Sequence, residues 1–466
     1  MDGCGGAPAK LVQSGVTPAS RPSCVAAAGQ AGNNPNSRTG DRADAVKGET
    51  NMTRLTRRAL LAVGSTASVF GPYVRRGYAA EALRVGSLSD LNSTYAILSG
   101  SGAVAAVRLA AADFMKEHPD IPVEVLVSDF QLKSDLGLGI ARGWFDTQGV
   151  DCIVDIPLSA MALGLTTLAK ERNKALMMTS TATDDLTGKF CGPNHIHWTH
   201  DTYALGVSVA RAWLEQGKDT WFFILADYAM GKSQVASMSQ VIERSGGKVV
   251  GSAAHPFPGT TDFSSFLLQA KSSGASIVCL ANSGSDAVNC VKQAAEFGMV
   301  GPNASGRQIM TMTLFDAPLV YSTGLEISQG LTYSSPAYWD QNDALRTLAK
   351  RLAPALNGNP MAGNHVGDYT GTYWYLKAAA EVGVSKAKAD GRAVIEHLKT
   401  MTIDDPCLGR CVVRPDGRNI HDMLLMKIKQ PSESKSPFDL ATIQSVVPGD
   451  QAFRPMAGGG CSMVGG

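Results

Sequence analysis

From Leu83 to Met312 the chain alternates short apolar runs with stretches whose apolar residues recur at helical spacing, and the alternation starts afresh once. That rhythm constrains the fold more than any other feature. Apolar runs without polar alternation read as strands buried on both faces, and such strands belong to parallel sheets covered by helices. Leu83–Leu88, Pro122–Val127, Cys152–Ile156 and Ala175–Met178 form the first set of strands. Trp221–Ala226, Lys248–Ala253, Ser276–Leu280 and Gln308–Met312 form the second. The expected fold is therefore α/β: two doubly wound α/β lobes with parallel sheets and right-handed crossovers. Helices are expected at 344–356, 369–382 and 394–400. A late hairpin is expected to join Cys411–Val413 to Met423–Lys429 through Pro415-Asp416-Gly417, with a tail that is mostly loop after Gln430.

The two sets meet at Thr179–Tyr203. Five small or hydroxylated residues, Thr179 to Thr183, follow the strand Ala175–Met178, and Trp198, Thr199, Asp201 and Tyr203 lead into the next helix. Hydroxyls and backbone N–H groups at the carboxyl end of a parallel strand can hold a ligand. Other strand-end loops share the pattern: Leu88–Tyr95, Pro157–Met161, Ala226–Gly231, Asn282–Asp286 and Phe315-Asp316. Ser159 is expected to cap the helix that follows the third strand.

The mature portion is preceded by two different segments. Met1–Asn51 is rich in Gly, Ala, Ser, Asn and Pro without periodicity and reads as a disordered or upstream extension. Residues 52–80 carry Thr56-Arg57-Arg58, a short apolar core Ala59–Phe70 and a small-residue end at Ala79-Ala80, the layout of a twin-arginine export signal. This predicts a periplasmic, exported protein, with translation starting at Met52. A net charge of +1 gives no electrostatic case for nucleic acid or an anionic membrane surface. Nine cysteines lack the paired spacing of a zinc site. Cys191 and Cys461 are a candidate disulfide that pins the tail. Cys407 and Cys411 are a second candidate pair, and Cys152, Cys279 and Cys290 read as buried thiols.

Catalytic signatures are missing. The chain has no G-x-S-x-G elbow, no H-E-x-x-H and no Walker loop. Gly100-Ser-Gly102-Ala-Val-Ala105 follows its strand too late for a dinucleotide fingerprint and reads as a helix start. His195, His197 and His200 cluster, but beside a strand their spacing does not favour a metal. No cofactor, metal or enzymatic activity is expected.

Several segments together resemble the extracytoplasmic solute-binding proteins of ABC importers, of the leucine/isoleucine/valine-binding type. They are Val85–Asp90, Gly149–Asp155, Thr181–Gly188, Ala226–Gly231, Thr261–Ser265, Gln293–Gly298 and Asp416-Gly-Arg418. The resemblance implies two lobes joined by three crossing strands, 81–199 plus 335–400 and 201–334 plus 405–430, with 431–466 as a C-terminal tail. It implies a small organic carboxylate as ligand, a branched-chain amino acid or an aromatic acid, an inner-membrane permease as partner, and a monomer. First-lobe ligand residues would be Ser159, Ala160, Thr181, Ala182 and Thr183. Asp201 and Tyr203 would sit at the first crossing, with Tyr228, Ser285 and Asp316 in the second lobe. Tyr95 and Phe315 would add apolar faces. Two alternatives stand beside this: a sensor of the same fold for amides or urea, and a hydrolase on a similar scaffold.

Overall fold

The computed structural model describes residues 81–464. The extension and export-signal assignments lie outside the described residues.

The first sheet is entirely parallel: β1 (Leu83–Ser89), β2 (Val123–Asp129), β3 (Cys152–Asp155), β4 (Ala175–Met178) and β5 (His195–His197), in the order β2-β1-β3-β4-β5. The second sheet starts with β6 (Thr220–Ala226), β7 (Lys248–His255), β8 (Ile277–Ala281), β9 (Ile309–Met312) and β10 (Thr332–Ser335). A small three-stranded sheet of β11 (Ile403–Asp405), β12 (Gly409–Val413) and β13 (Asn419–Ile420) comes next. Then β14 (Met423–Ile428) and β15 (Ala441–Val447) return antiparallel to complete the second sheet as β15-β14-β10-β9-β8-β6-β7. The central strands are apolar because both their faces are covered: Ile277–Ala281 and Cys152–Asp155 are buried throughout.

Each sheet has its own core. Leu83, Val85, Phe114, Trp198 and Tyr375 pack together in the first lobe, and Phe222, Ile224, Leu280, Phe315 and Tyr333 in the second. The helix Gly363–Val382 belongs to the first lobe and lies tight against the first crossing. A Cβ at Gly367 would sit 1.9 Å from Thr199 Oγ1, so only glycine permits that approach.

Four sequence expectations are corrected. The turn Pro415–Gly417 closes β12 onto β13, while Met423–Ile428 pairs with β10 and β15, because its buried residues complete the second sheet. The tail contains the strand β15. Ser159 is the first residue of its helix rather than the cap, and its Oγ accepts from Thr183 N at 3.3 Å. Cys407 and Cys411 are free, since β11–β12 pairing sets Cys411 opposite Ile403 and leaves Cys407 beyond the ladder. Cys152, Cys279 and Cys290 are buried free thiols. Ile403, Cys411 and Val413, from β11 and β12, join the core that holds Leu83, Phe114 and Trp198.

The tail crosses back. Beyond β15, Ala452 and Phe453 pack with Ala204, Leu205 and Met423. Arg454 Nη1 then donates to Asp184 Oδ2 at 2.7 Å, and Cys461 is joined to Cys191 in the first lobe.

Candidate functional site

The carboxyl ends of both sheets face a common gap. In the first lobe, Asp90 folds the loop after β1 by accepting from Ser93 N at 3.0 Å and Tyr95 N at 2.8 Å, which carries Tyr95 to the rim. In the second, Tyr228 follows β6 and stacks on Phe257 with ring centroids 4.2 Å apart. The Tyr95 and Tyr228 hydroxyls hydrogen-bond across the gap. Beside them, Ser285 N donates to Thr94 O at 3.1 Å, where Gly284 adopts φ +65°. Asp316 of the second lobe accepts from Gly363 N, at the start of the long first-lobe helix. The lobes are therefore closed on one another.

A small cavity remains between them. Tyr95, Leu98, Pro157, Ser180, Ala182 and Asn364 line its first-lobe side, and Tyr228, Met230 and Leu314 its second-lobe side. Larger grooves of about 770 and 1080 Å³ lie on the outer surface of the first lobe. In the smaller of these, Asp113 is already paired with Arg351 and Lys116.

Behind Ser180 lies a buried acidic pair. Asp155 accepts from Ser99 Oγ, and Asp368 accepts from Thr179 Oγ1 and, at 3.4 Å, from Ser180 Oγ. Burial and mutual repulsion hold Asp368 well above the usual carboxylate range, and burial raises Asp155 as well. One oxygen of each, Asp155 Oδ1 and Asp368 Oδ2, has no hydrogen-bond partner, nor has Asn364 Oδ1 in the cavity wall. Asp155 and Ile156 end β3 at φ +69° and +61°, a conformation costly for a β-branched residue and found most often at binding sites.

The residues expected from sequence are distributed unevenly around this cavity. Tyr95, Ala182 and Tyr228 line it. Thr181 Oγ1 donates to Ile156 O, and Thr183 Oγ1 accepts from Asp185 N at 3.4 Å, so both hydroxyls serve the loop. Asp201 caps the helix Thr202–Leu214 by accepting from Ala204 N at 2.7 Å, and its other oxygen faces Arg418 at 3.6 Å. Asp316 likewise caps its helix at Ala317 N, 2.9 Å, and burial pushes its carboxyl up to about 6. Ser159 is buried under the loop, Tyr203 packs on the second-lobe core, and Phe315 is fully buried within that core. Ala160 and Ser285 side chains are exposed. Sequence reasoning missed Leu98, Ser180, Met230, Leu314 and Asn364 as individual residues. Ser180 lay inside the hydroxyl row it singled out, whereas Asn364 opens a helix with no local signature.

Two of the three clustered histidines bind backbone: His195 Nε2 meets Leu186 O and His197 Nε2 meets Thr181 O, both at 2.8 Å, whereas neither ring nitrogen of His200 has a partner. Among the described residues no group of three His, Cys, Asp or Glu side chains could hold a metal ion, and no helix is long and apolar enough to cross a membrane.

A family model described as periplasmic binding protein matches residues 82–435. The structure is similar to a periplasmic binding protein from Burkholderia mallei, at 37% identity and TM-score 0.77 over 83% of this chain and 100% of that one. A branched chain amino acid ABC transporter periplasmic ligand-binding protein from Burkholderia xenovorans LB400 is 35% identical, with TM-score 0.71 over 82% and 99%. An ABC transporter solute-binding protein from R. palustris, in complex with 4-hydroxybenzoate, shares the fold at 16% identity and TM-score 0.71 over 80% and 99%. No match was found among curated proteins. With a family match over most of its length and a two-lobed structure closed around a cavity, the chain belongs to the periplasmic binding protein family.

Proposed function

We propose that the protein is the solute-capturing component of an ABC importer. It closes two lobes on a small organic carboxylate, a branched-chain amino acid or an aromatic acid, and hands it unaltered to an inner-membrane permease. The observation that carries this reading is the pair of tyrosine hydroxyls meeting across the cavity, a contact that only the closed clamp can make. The similarity to a branched chain amino acid ABC transporter protein and the shared fold with a hydroxybenzoate-bound one support the ligand class. Export through a twin-arginine signal and a periplasmic, monomeric state go with the same reading.

The residues free to meet a ligand are Tyr95, Ser180, Ala182, Tyr228 and Asn364. Thermal-shift and calorimetric titration with branched-chain amino acids and hydroxybenzoates tests the proposal, because a ligand that binds only the folded protein raises its melting temperature. No shift with any member of either class would sink it.

A further inference from the structure

A second contact between the lobes lies at Asp184, on the first-lobe loop after β4. Its carboxylate accepts from Ser233 Oγ at 2.6 Å and Ser237 Oγ at 2.9 Å, both on the second-lobe helix Ala229–Arg244. The cation paired with it comes from the tail. Arg454 reaches Asp184 Oδ2 with Nη1 at 2.7 Å and the Asp184 carbonyl with Nη2 at 2.9 Å. Asp184 is buried and Arg454 half-buried, so these charge-assisted bonds are shielded from bulk water.

Arg454 is held unequally on its two sides. Before it, Phe453 is buried beside Leu205. After it, Pro455 to Gly458 are exposed, and Gly458 to Gly460 give the chain extra freedom. The anchor on that side is the Cys191–Cys461 disulfide. Cys461 is buried, whereas Cys191 is half-buried and follows the exposed Phe190, so the bond is approached from the Cys191 side. The five free cysteines among the described residues are buried, and burial raises their thiols above the ordinary range, so none competes in exchange.

We propose that the Cys191–Cys461 disulfide is a redox-controlled anchor: a dithiol reductant opens it, the strap 454–464 comes free, the Arg454–Asp184 contact weakens and the lobes part more readily. The anchor thereby sets how long a captured solute is retained, and in that respect it rests on the solute-capture reading. A thiolate of the reductant attacks Cys191 Sγ. The S–S bond breaks, Cys461 leaves as a thiolate and takes up a proton from water, and a mixed disulfide remains on Cys191. The second thiol of the reductant loses its proton and attacks the reductant sulfur of that mixed disulfide, and Cys191 leaves and is protonated. Two electrons pass from the dithiol, which ends as a disulfide, to the protein, which ends as two thiols.

Dithiothreitol added to the folded full chain tests this. Small-angle scattering of the unliganded protein is expected to give a larger radius of gyration after reduction. Cys461→Ser should show the larger value without reductant and change no further when it is added. Arg454→Gln, with the disulfide intact, should open the lobes as well. With L-leucine or 4-hydroxybenzoate as the bound probe, reduction should speed dissociation roughly tenfold in stopped-flow fluorescence, the worth of a hydrogen bond to a charged group. A native near-ultraviolet circular dichroism spectrum shows that each form is folded. If dithiothreitol opens the bond only in unfolded protein, or if scattering or dissociation is the same in both redox states, the anchor is refuted while solute capture stands. If neither probe binds in either state, the capture reading fails for both and scattering alone decides the anchor.

Discussion

The hydroxyl of Tyr95 in the first lobe hydrogen-bonds the hydroxyl of Tyr228 in the second, and Phe257 packs against both rings, with centroids 5.5 and 4.2 Å away. This is a latch made at the rim of the cavity, with Tyr95 buried and Tyr228 half-buried. Burial raises both phenols above their ordinary range, so neither ionises near neutrality and the contact persists there.

Tyr228→Phe keeps the ring stack and removes one side of the latch. A hydrogen bond of this kind is worth about 0.5–1.5 kcal/mol, so ligand affinity should fall about two- to tenfold. The loss should appear in the dissociation rate, read by stopped-flow fluorescence, with the melting temperature of the unliganded protein little changed.

Gly284 should be intolerant for two separable reasons. Its φ of +65° favours glycine, and an added Cβ would lie 2.2 Å from Thr94 O on the opposing lobe. Gly284→Ala should therefore lower stability by about 1 kcal/mol through backbone strain. It should also hold the lobes apart, so that small-angle scattering no longer shows compaction when ligand is added. Normal compaction in the variant would contradict the closed geometry.

Histidine burial sets a pH dependence. Desolvation lowers His195 to about 4, against an ordinary value of 6.5, while its Nε2 meets Leu186 O. A depressed folded value means that the unfolded chain takes up the proton first. The stability contributed by neutral His195 is thus full above about pH 6.5 and is lost as pH falls toward 4. An asparagine at this position has no such share to lose. His195→Asn should therefore be more damaging at pH 7.5 than at pH 5, by a difference of about 2 kcal/mol in urea unfolding. His200, His365 and His421, lowered by burial to about 3, 4 and 4, should likewise keep neutral imidazole resonances at pH 5.5 by NMR.

Asp201 holds structure at the first crossing. It caps a helix and faces the fully buried guanidinium of Arg418. Asp201→Ala leaves that charge uncompensated, at about 3–5 kcal/mol. The variant's melting temperature should drop sharply. A normal melting curve with affinity abolished would instead place Asp201 at the ligand.

Sequence and structure agree where physics makes strands apolar. Trp221–Ala226 and Ile277–Ala281 are legible because both faces are covered, and their spacing from the following helices leaves one topology. β5 is three residues with two histidines, β10 is four residues that all carry hydroxyls, and β15 is a half-exposed edge strand, so none carries an apolar signature. The cavity is legible in the same partial way. The hydroxyl row 179–183 marks the right loop, but whether a threonine there faces ligand or backbone depends on Ile156, which comes from another strand end. Asn364 reaches the same cavity from far along the chain, and no local pattern announces it.

The return of the tail from β15 to Cys191 changes what the hinge can do. Backbone crossings alone would let the halves gape as far as their torsions permit. Here a covalent leash runs alongside them, stitched to one half at its edge strand and to the other through sulfur, with Arg454 gripping Asp184 between. The open jaw has a stop, and the halves reach a narrower range of shapes than an untethered clamp offers.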